Sequence, residues 1–237
     1  MGAVPGWTLV RHTRFPPDVN ASEDFLATAH GGPVTHPLSA ERPRVTDKQS
    51  LRAELRQRRL AHDAAISPGL RALLFHRPPA VLLDLIPQGA TIGVYHPIPG
   101  EAPPLGYARW FAEAGHQVAL PWFGRRGDAM RFKLWDNPFD ESGLVPDPYG
   151  AMQPTAEAED VVIDVAFVPL LGFTREGHRL GQGGGHYDRL LAAHPEIVPI
   201  GLAWDCQLLD ALPLEQHDRP LRGVITPTRF YGPFDAN

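Results

Sequence analysis

The sequence predicts an α/β fold of three layers, a mostly parallel sheet with helices on both faces. Short apolar runs alternate with helical stretches at intervals that suit strand–helix–strand crossovers. The 237 residues are 43% hydrophobic and 21% charged, a globular balance with enough apolar surface to offset the entropy of ordering one core. No segment repeats at a fixed period.

Residues 1–46 carry Pro5, Pro16, Pro17, Pro33, Pro37 and Pro43 among scattered glycines, and read as an N-terminal extension to a domain over 47–237. At Thr46 the character changes. Thr46 and Gln49 have capping-box spacing ahead of Leu51, Leu55 and Leu60, which predicts a helix from Asp47 to about Ala65. Ser67 and Pro68 look like the N-cap and first turn of a second helix, ended by Pro78-Pro79. Strands are expected at Ala90 to Tyr95, Gln117 to Leu120, Met130 to Trp135, Val161 to Val168, Val198 to Ala203 and Gly223 to Ile225. Helices are expected at Pro104 to Ala114, stopped by Gly115, and at His186 to Ala193.

Composition removes several function classes. The formal net charge is −5 with no basic block, which argues against broad binding to nucleic acid and leaves small anions as partners. A single cysteine, Cys206, can form neither an internal disulfide nor a thiolate metal site with a second cysteine, so a reducing cytoplasm is the expected location. No run approaches 18 apolar residues, and the first 30 residues lack a signal-peptide pattern, so no membrane partner is expected. Asp18, Glu23 and Asp24 speak against a transit peptide. Oligomeric state is open, with a monomer favoured.

The chemistry concentrates between the strand at Val161 to Val168 and the helix at His186, across a loop of about a dozen residues. Gly181, Gly183, Gly184 and Gly185 let the backbone take positive φ and turn successive N–H groups toward one point. With the amides of the following helix start they make an anion cradle; a flexible surface loop is the other reading. Neither GxGxxG nor GxxxxGK[ST] is present, which disfavours a standard dinucleotide site or P-loop.

The segment GFTREGHRLGQGGGHYDRLL resembles the signature of the 5-formyltetrahydrofolate cyclo-ligase (5,10-methenyltetrahydrofolate synthetase) family. DKQSLR at Asp47 to Arg52, YHPIPGE at Tyr95 to Glu101, ALPW at Ala119 to Trp122 and HDRPLRGVITP at His217 to Pro227 follow the family's order and spacing. The resemblance implies a NagB/RpiA-like fold, with ATP and Mg²⁺ used to close 5-formyltetrahydrofolate to 5,10-methenyltetrahydrofolate. ATP and the folate are then the expected small-molecule partners. The formyl oxygen is a poor leaving group, so phosphorylating it lets the neighbouring nitrogen close the ring; positioning and charge neutralisation carry such transfers.

The resemblance also implies roles. ATP is assigned to Lys48, Arg52, Arg179, Leu180, Gly181, Gln182, Gly183, Gly184, Gly185, His186 and Tyr187, with Arg179, Gln182, His186 and Tyr187 catalytic. Folate is assigned to His96, Glu101 and Gln182 through His186, the last group shared between formyl and phosphate. Mg²⁺ is assigned to Asp188 and Asp218, an ion that takes one or two carboxylates plus phosphate oxygens and water.

Each assignment has a plainer counterpart. Lys48, Arg52, Arg56 and Arg59 form a basic stripe that by sequence alone reads as a solvated helix face, and the family match reverses that reading for Lys48 and Arg52 only. Asp188 can be stabilised by the helix start alone, Asp218 can be a turn aspartate, and Glu101 a solvated loop residue. Trp122 and Phe123 offer pterin stacking surfaces or core. Gln182 or Gly184 stands where the family often has a basic residue, His186 where it often has tyrosine, and Arg222 where an acidic residue is common. These departures motivate a noncatalytic folate- or nucleotide-binding relative as the alternative; a sugar-phosphate isomerase of the same fold is a third.

Overall fold

The structure is a computed structural model that describes residues 48–215 and 218–235. The extension at 1–46, Asp47 and His217 lie outside the described residues. In chain order the elements are α1 (Lys48–Ala65), α2 (Pro68–Leu73), α3 (Ala80–Leu83), β1 (Thr91–Gly93), α4 (Leu105–Glu113), β2 (Gln117–Trp122) and β3 (Arg131–Leu134). There follow β4 (Val145–Pro146), β5 (Met152–Gln153), β6 (Asp160–Val161), β7 (Val165–Pro169), β8 (Gly172–Phe173), β9 (Arg179–Leu180), α5 (His186–Ala193), β10 (Val198–Leu202), β11 (Gly223–Ile225) and β12 (Phe230–Tyr231).

One eight-stranded sheet runs in the order β12-β11-β10-β7-β1-β2-β3-β6. Its central run β11, β10, β7, β1 and β2 is parallel, and the outer strands β12, β3 and β6 pair antiparallel. Alternation along the strands feeds two apolar layers. Ile92, Val165, Phe167, Ile200 and Leu202 pack with Leu82 of α3 and Tyr107, Ala108 and Phe111 of α4. Ala119, Ala166, Val168 and Val224 pack with Leu191 of α5. Helices therefore cover both faces, as the sequence predicts. No helix among the described residues is long and apolar enough to cross a membrane.

Three expectations change. The run Val161 to Val168 divides into β6, at one edge beside β3, and β7, at the centre. The crossing exposes Val162 and pins Asp164, whose carboxylate accepts from the Thr91 N–H at 2.7 Å. The second helix stops at Leu73 rather than Pro78, because Phe75 adopts φ 54° and its ring packs against Tyr107 and Trp204 in the core. The long loop before α5 contains the β8–β9 hairpin, turned at Gly177 with φ 86°, so the glycine loop proper is only Gly181 to Gly185.

Ser67 does cap α2, accepting from the Leu70 N–H at 3.3 Å, with Pro68 in its first turn. The first helix begins among the described residues at Lys48 and ends at Ala65 as expected. Its Leu55, 1% exposed, packs on Leu171 and Leu180, which seats α1 beside the β8–β9 hairpin and the segment leaving β7. Leu55→Ala should destabilise the fold by about 2–4 kcal/mol, read as a lowered urea midpoint with the slope unchanged.

Candidate active site

Parallel strands deliver their following loops to one edge of the sheet, the place where open α/β sheets put ligands. The segments leaving β1, β2 and β7 converge there with α1 and the start of α5, around a cavity of about 620 Å³. Lys48, Arg52, His96, Glu101, the whole stretch Arg179 to Asp188, and Asp218 all line it. The site residues expected from the sequence thus share one cavity.

The glycine loop lines the cavity as a tight turn. Gly183 has φ 104° and Gly185 φ 63°, so a side chain at either would be strained whatever space surrounds it. Gly185 occupies the N-cap of α5 with no side-chain cap, leaving the first amides of that helix to an outside acceptor. The loop is tied to α1: Arg52 Nε donates to Gly181 O at 3.1 Å, and Arg56 donates to Gln182 Oε1 at 3.2 Å.

Opposite charges line one end. Lys48 Nζ lies 3.0 Å from both Asp218 Oδ2 and Glu215 Oε1. Burial pulls the Lys48 ammonium down, but these two carboxylates outweigh it and hold its pKa above the usual lysine value. Asp218 also accepts from the Glu215 N–H at 2.8 Å, so it closes a turn and pairs with Lys48 at once. Arg179 donates to Asp188 and to the Arg219 carbonyl; its side chain is 4% exposed, that of Asp188 32%. Burial lowers the Arg179 pKa against the pull of Asp188 and Asp218. Asp188 and Asp218 are hard-oxygen donors on the cavity wall, each beside a cation, a set that fits Mg²⁺ once phosphate oxygens join it.

A buried polar cluster occupies the middle. Glu101 accepts from the Ile98 N–H at 3.2 Å, from Arg59 at 3.3 Å and from Gln182 Nε2 at 3.1 Å. Burial pushes its carboxyl up, opposed chiefly by Arg59. Burial and the Glu101 charge raise the hydroxyls of Tyr95 and Tyr187. Tyr95 donates to Ala102 O, whereas the Tyr187 hydroxyl is buried without a hydrogen-bond partner and lines the cavity. His96 meets Glu141 at 3.1 Å through Nε2, and its Nδ1 is buried without a partner.

Aromatic rings line the other end. Phe123, Tyr149 and His186 form a triangle with centroids 4.9, 4.9 and 5.1 Å apart, all edge-on. Gln153 holds Phe123 by both backbone groups, at 2.8 and 3.2 Å. Of the two stacking candidates only Phe123 lines the cavity; Trp122 lies under Arg131 and Lys133, 4.6 and 5.3 Å away.

Sequence reasoning missed Tyr149, Met152 and Asp147, which the β4–β5 hairpin contributes. The turn signal Asp-Pro-Tyr-Gly at 147–150 was available: Asp147 accepts from the Tyr149 and Ala151 amides at 2.7 and 2.9 Å. The basic stripe is also corrected. Arg56 lines the cavity, and Arg59 is 2% exposed, so this face of α1 is its inward one.

A buried carboxylate, cations paired with carboxylates and a glycine turn at a helix start thus share one cavity of an α/β protein. The 5-formyltetrahydrofolate cyclo-ligase family model matches residues 44–227, and the chain belongs to that family. It is 35% identical over 162 residues to the Escherichia coli K12 5-formyltetrahydrofolate cyclo-ligase, covering 65% of this chain and 84% of that one. The Mycolicibacterium smegmatis 5-formyltetrahydrofolate cyclo-ligase is 32% identical over 192 residues, 77% and 94% of the two chains. The solution structure of Aquifex aeolicus 5,10-methenyltetrahydrofolate synthetase superposes with TM-score 0.59 at 27% identity, covering 78% of this chain and 94% of that one.

Burial, then the neighbouring Arg189, depress the His186 pKa, against Asp147. A depressed histidine binds fewer protons folded than unfolded, so its share of stability is lost as pH falls through the ordinary imidazole range. His186→Phe should keep the aromatic triangle and flatten that acid-side loss, measured as urea stability across the range.

Proposed function

We propose that this protein closes 5-formyltetrahydrofolate to 5,10-methenyltetrahydrofolate with consumption of ATP, releasing ADP and phosphate. The observation that carries this reading is the meeting of a cationic anion-binding end, a buried carboxylate and an aromatic end in one cavity. A substrate with a flat pterin ring beside a site of phosphoryl transfer needs all three.

In this reading the N–H groups of the Gly181 to Gly185 turn, Lys48, Arg52 and Arg179 hold the phosphates of ATP, Leu180 and Tyr187 flanking them. Asp188 and Asp218 hold Mg²⁺, which neutralises phosphate charge when bound. Glu101 accepts hydrogen bonds from the pterin, His96 closes the wall beside it, and Phe123, Tyr149 and His186 pack on its rings. The formyl oxygen attacks the terminal phosphorus of ATP and ADP departs. N10 then attacks the activated carbon, the carbon–oxygen bond breaks, phosphate leaves with the former formyl oxygen, and the N10 proton passes to solvent. The chain supplies alignment and charge, not a covalent intermediate. Gln182, Gly183, Gly184 and His186 border the junction of the two ligands. The reaction takes place in the cytoplasm.

Protein mixed with Mg²⁺, ATP and 5-formyltetrahydrofolate should generate the methenyl chromophore over many turnovers. No ATP-dependent absorbance rise sinks the proposal, and calorimetric binding of both ligands without turnover replaces it with a noncatalytic relative. Asp188→Asn keeps an acceptor for Arg179 and should reduce activity by roughly 10- to 100-fold, the equivalent of one charge-assisted contact, chiefly through Mg²⁺-ATP use. Unchanged metal dependence refutes that role. Lys48→Ala should raise the ATP requirement more than the folate requirement, checked by initial rates with each substrate varied.

A further inference from the structure

Arg59 matches no residue to which the family resemblance gives a role, and on helical spacing alone it reads as solvated. Its side chain is instead 2% exposed against 6% for Glu101, its partner at 3.3 Å. Among the described residues this is the one ion pair with both side chains below a tenth exposed.

Stability does not account for it. A buried pair is often no better than packed apolar residues, because desolvating two charges offsets their attraction. Here the guanidinium also leaves Nε buried without a hydrogen-bond partner, a further cost. What the pair does is positional. The same NH1 that meets Glu101 donates to Leu170 O at 3.3 Å. Glu101 follows β1 and Leu170 follows β7, so one guanidinium ties together the loops leaving two adjacent central strands. The carboxylate is then completed by Ile98 N–H on Oε2 and Gln182 on Oε1.

We propose that Arg59 is a positioning residue for folate: it holds Glu101 ionised and aimed into the cavity as an acceptor for the pterin. This rests on the reading of Glu101 as the folate contact. The groups facing Glu101 are Arg59 from α1, Tyr95 from the segment after β1, Tyr187 from α5, and the neutral donors Gln182 and Ile98 N–H. Arg59 is the only cation among them. Burial already raises the Glu101 carboxyl; without Arg59 it protonates at higher pH, and a protonated carboxyl offers the pterin a donor where an acceptor is needed.

The test is steady-state kinetics of the full chain across pH, varying folate and ATP in turn, for wild type, Arg59→Met and Arg59→Lys. Arg59→Met should raise the folate KM roughly tenfold or more, the worth of a charge-assisted hydrogen bond, with the ATP KM unchanged. It should also move the acid limb of kcat/KM for folate to higher pH. Arg59→Lys should return the acid limb to its wild-type position. If Arg59→Met does not fold, Arg59→Lys carries the test alone: a raised folate KM with the wild-type acid limb supports the role. Equal losses on folate and ATP, or wild-type kinetics, in any folded variant overturn it. A wild-type protein that never converts the folate sinks the proposed function and this role with it, whereas an active wild type beside indifferent Arg59 variants sinks this role alone.

Discussion

The fold is organised around a charge that has to be kept out of water. Glu101 is buried where the loops after β1 and β7 meet, and a lone carboxylate there would protonate or pull water in. It needs a cation arriving from outside the sheet, and α1 delivers it. Leu55 and Arg59 lie one turn apart on α1, so the turn that packs Leu55 against Leu171 and Leu180 also inserts Arg59 beneath Glu101. Apolar contact through Leu55 sets both the position and the rotation of the helix, and that rotation brings Arg59 to Glu101. With the rotation fixed, Lys48, Arg52 and Arg56 must face the cavity.

The same helix rotation brings Lys48 to the carboxylates of Asp218 and Glu215. Lys48 and Arg179 are both held by carboxylates, Asp218 and Glu215 for one, Asp188 for the other. In the proposed function an incoming phosphate chain takes over these cations while Mg²⁺ takes over the carboxylates, so each charge exchanges one partner for another and none is stranded. Exchange of this kind suits a transfer reaction, since charge that moves from ATP to the formyl oxygen meets groups already placed.

Much of this was legible in the sequence, for identifiable reasons. The alternation of strands and helices follows from local periodicity, and the glycine loop from a residue type whose backbone freedom is itself the signal. What escaped depends on long-range placement. Nothing in Val161 to Val168 marks Asp164 as the point where the chain leaves the sheet edge for its centre; the Thr91 amide, 73 residues away, does that. Charges at Lys48, Arg52, Arg56 and Arg59 announce a shared face but not what covers it. Met152 belongs to a two-residue strand and Tyr149 to the turn before it, both too short for any period to show.

Gln182 joins the two halves of the site. Its side chain accepts from Arg56 and donates to Glu101, so the start of the glycine turn is fastened to the buried carboxylate. His186, at the other end of the same turn, is both the first residue of α5 and one vertex of the aromatic triangle. Both side chains of the turn therefore have partners outside it, Gln182 at the buried carboxylate and His186 at the aromatic rings. Between them Gly183 and Gly185 take the positive φ that lets the backbone reverse over so few residues, so the turn reaches both groups without a side chain of its own in the way.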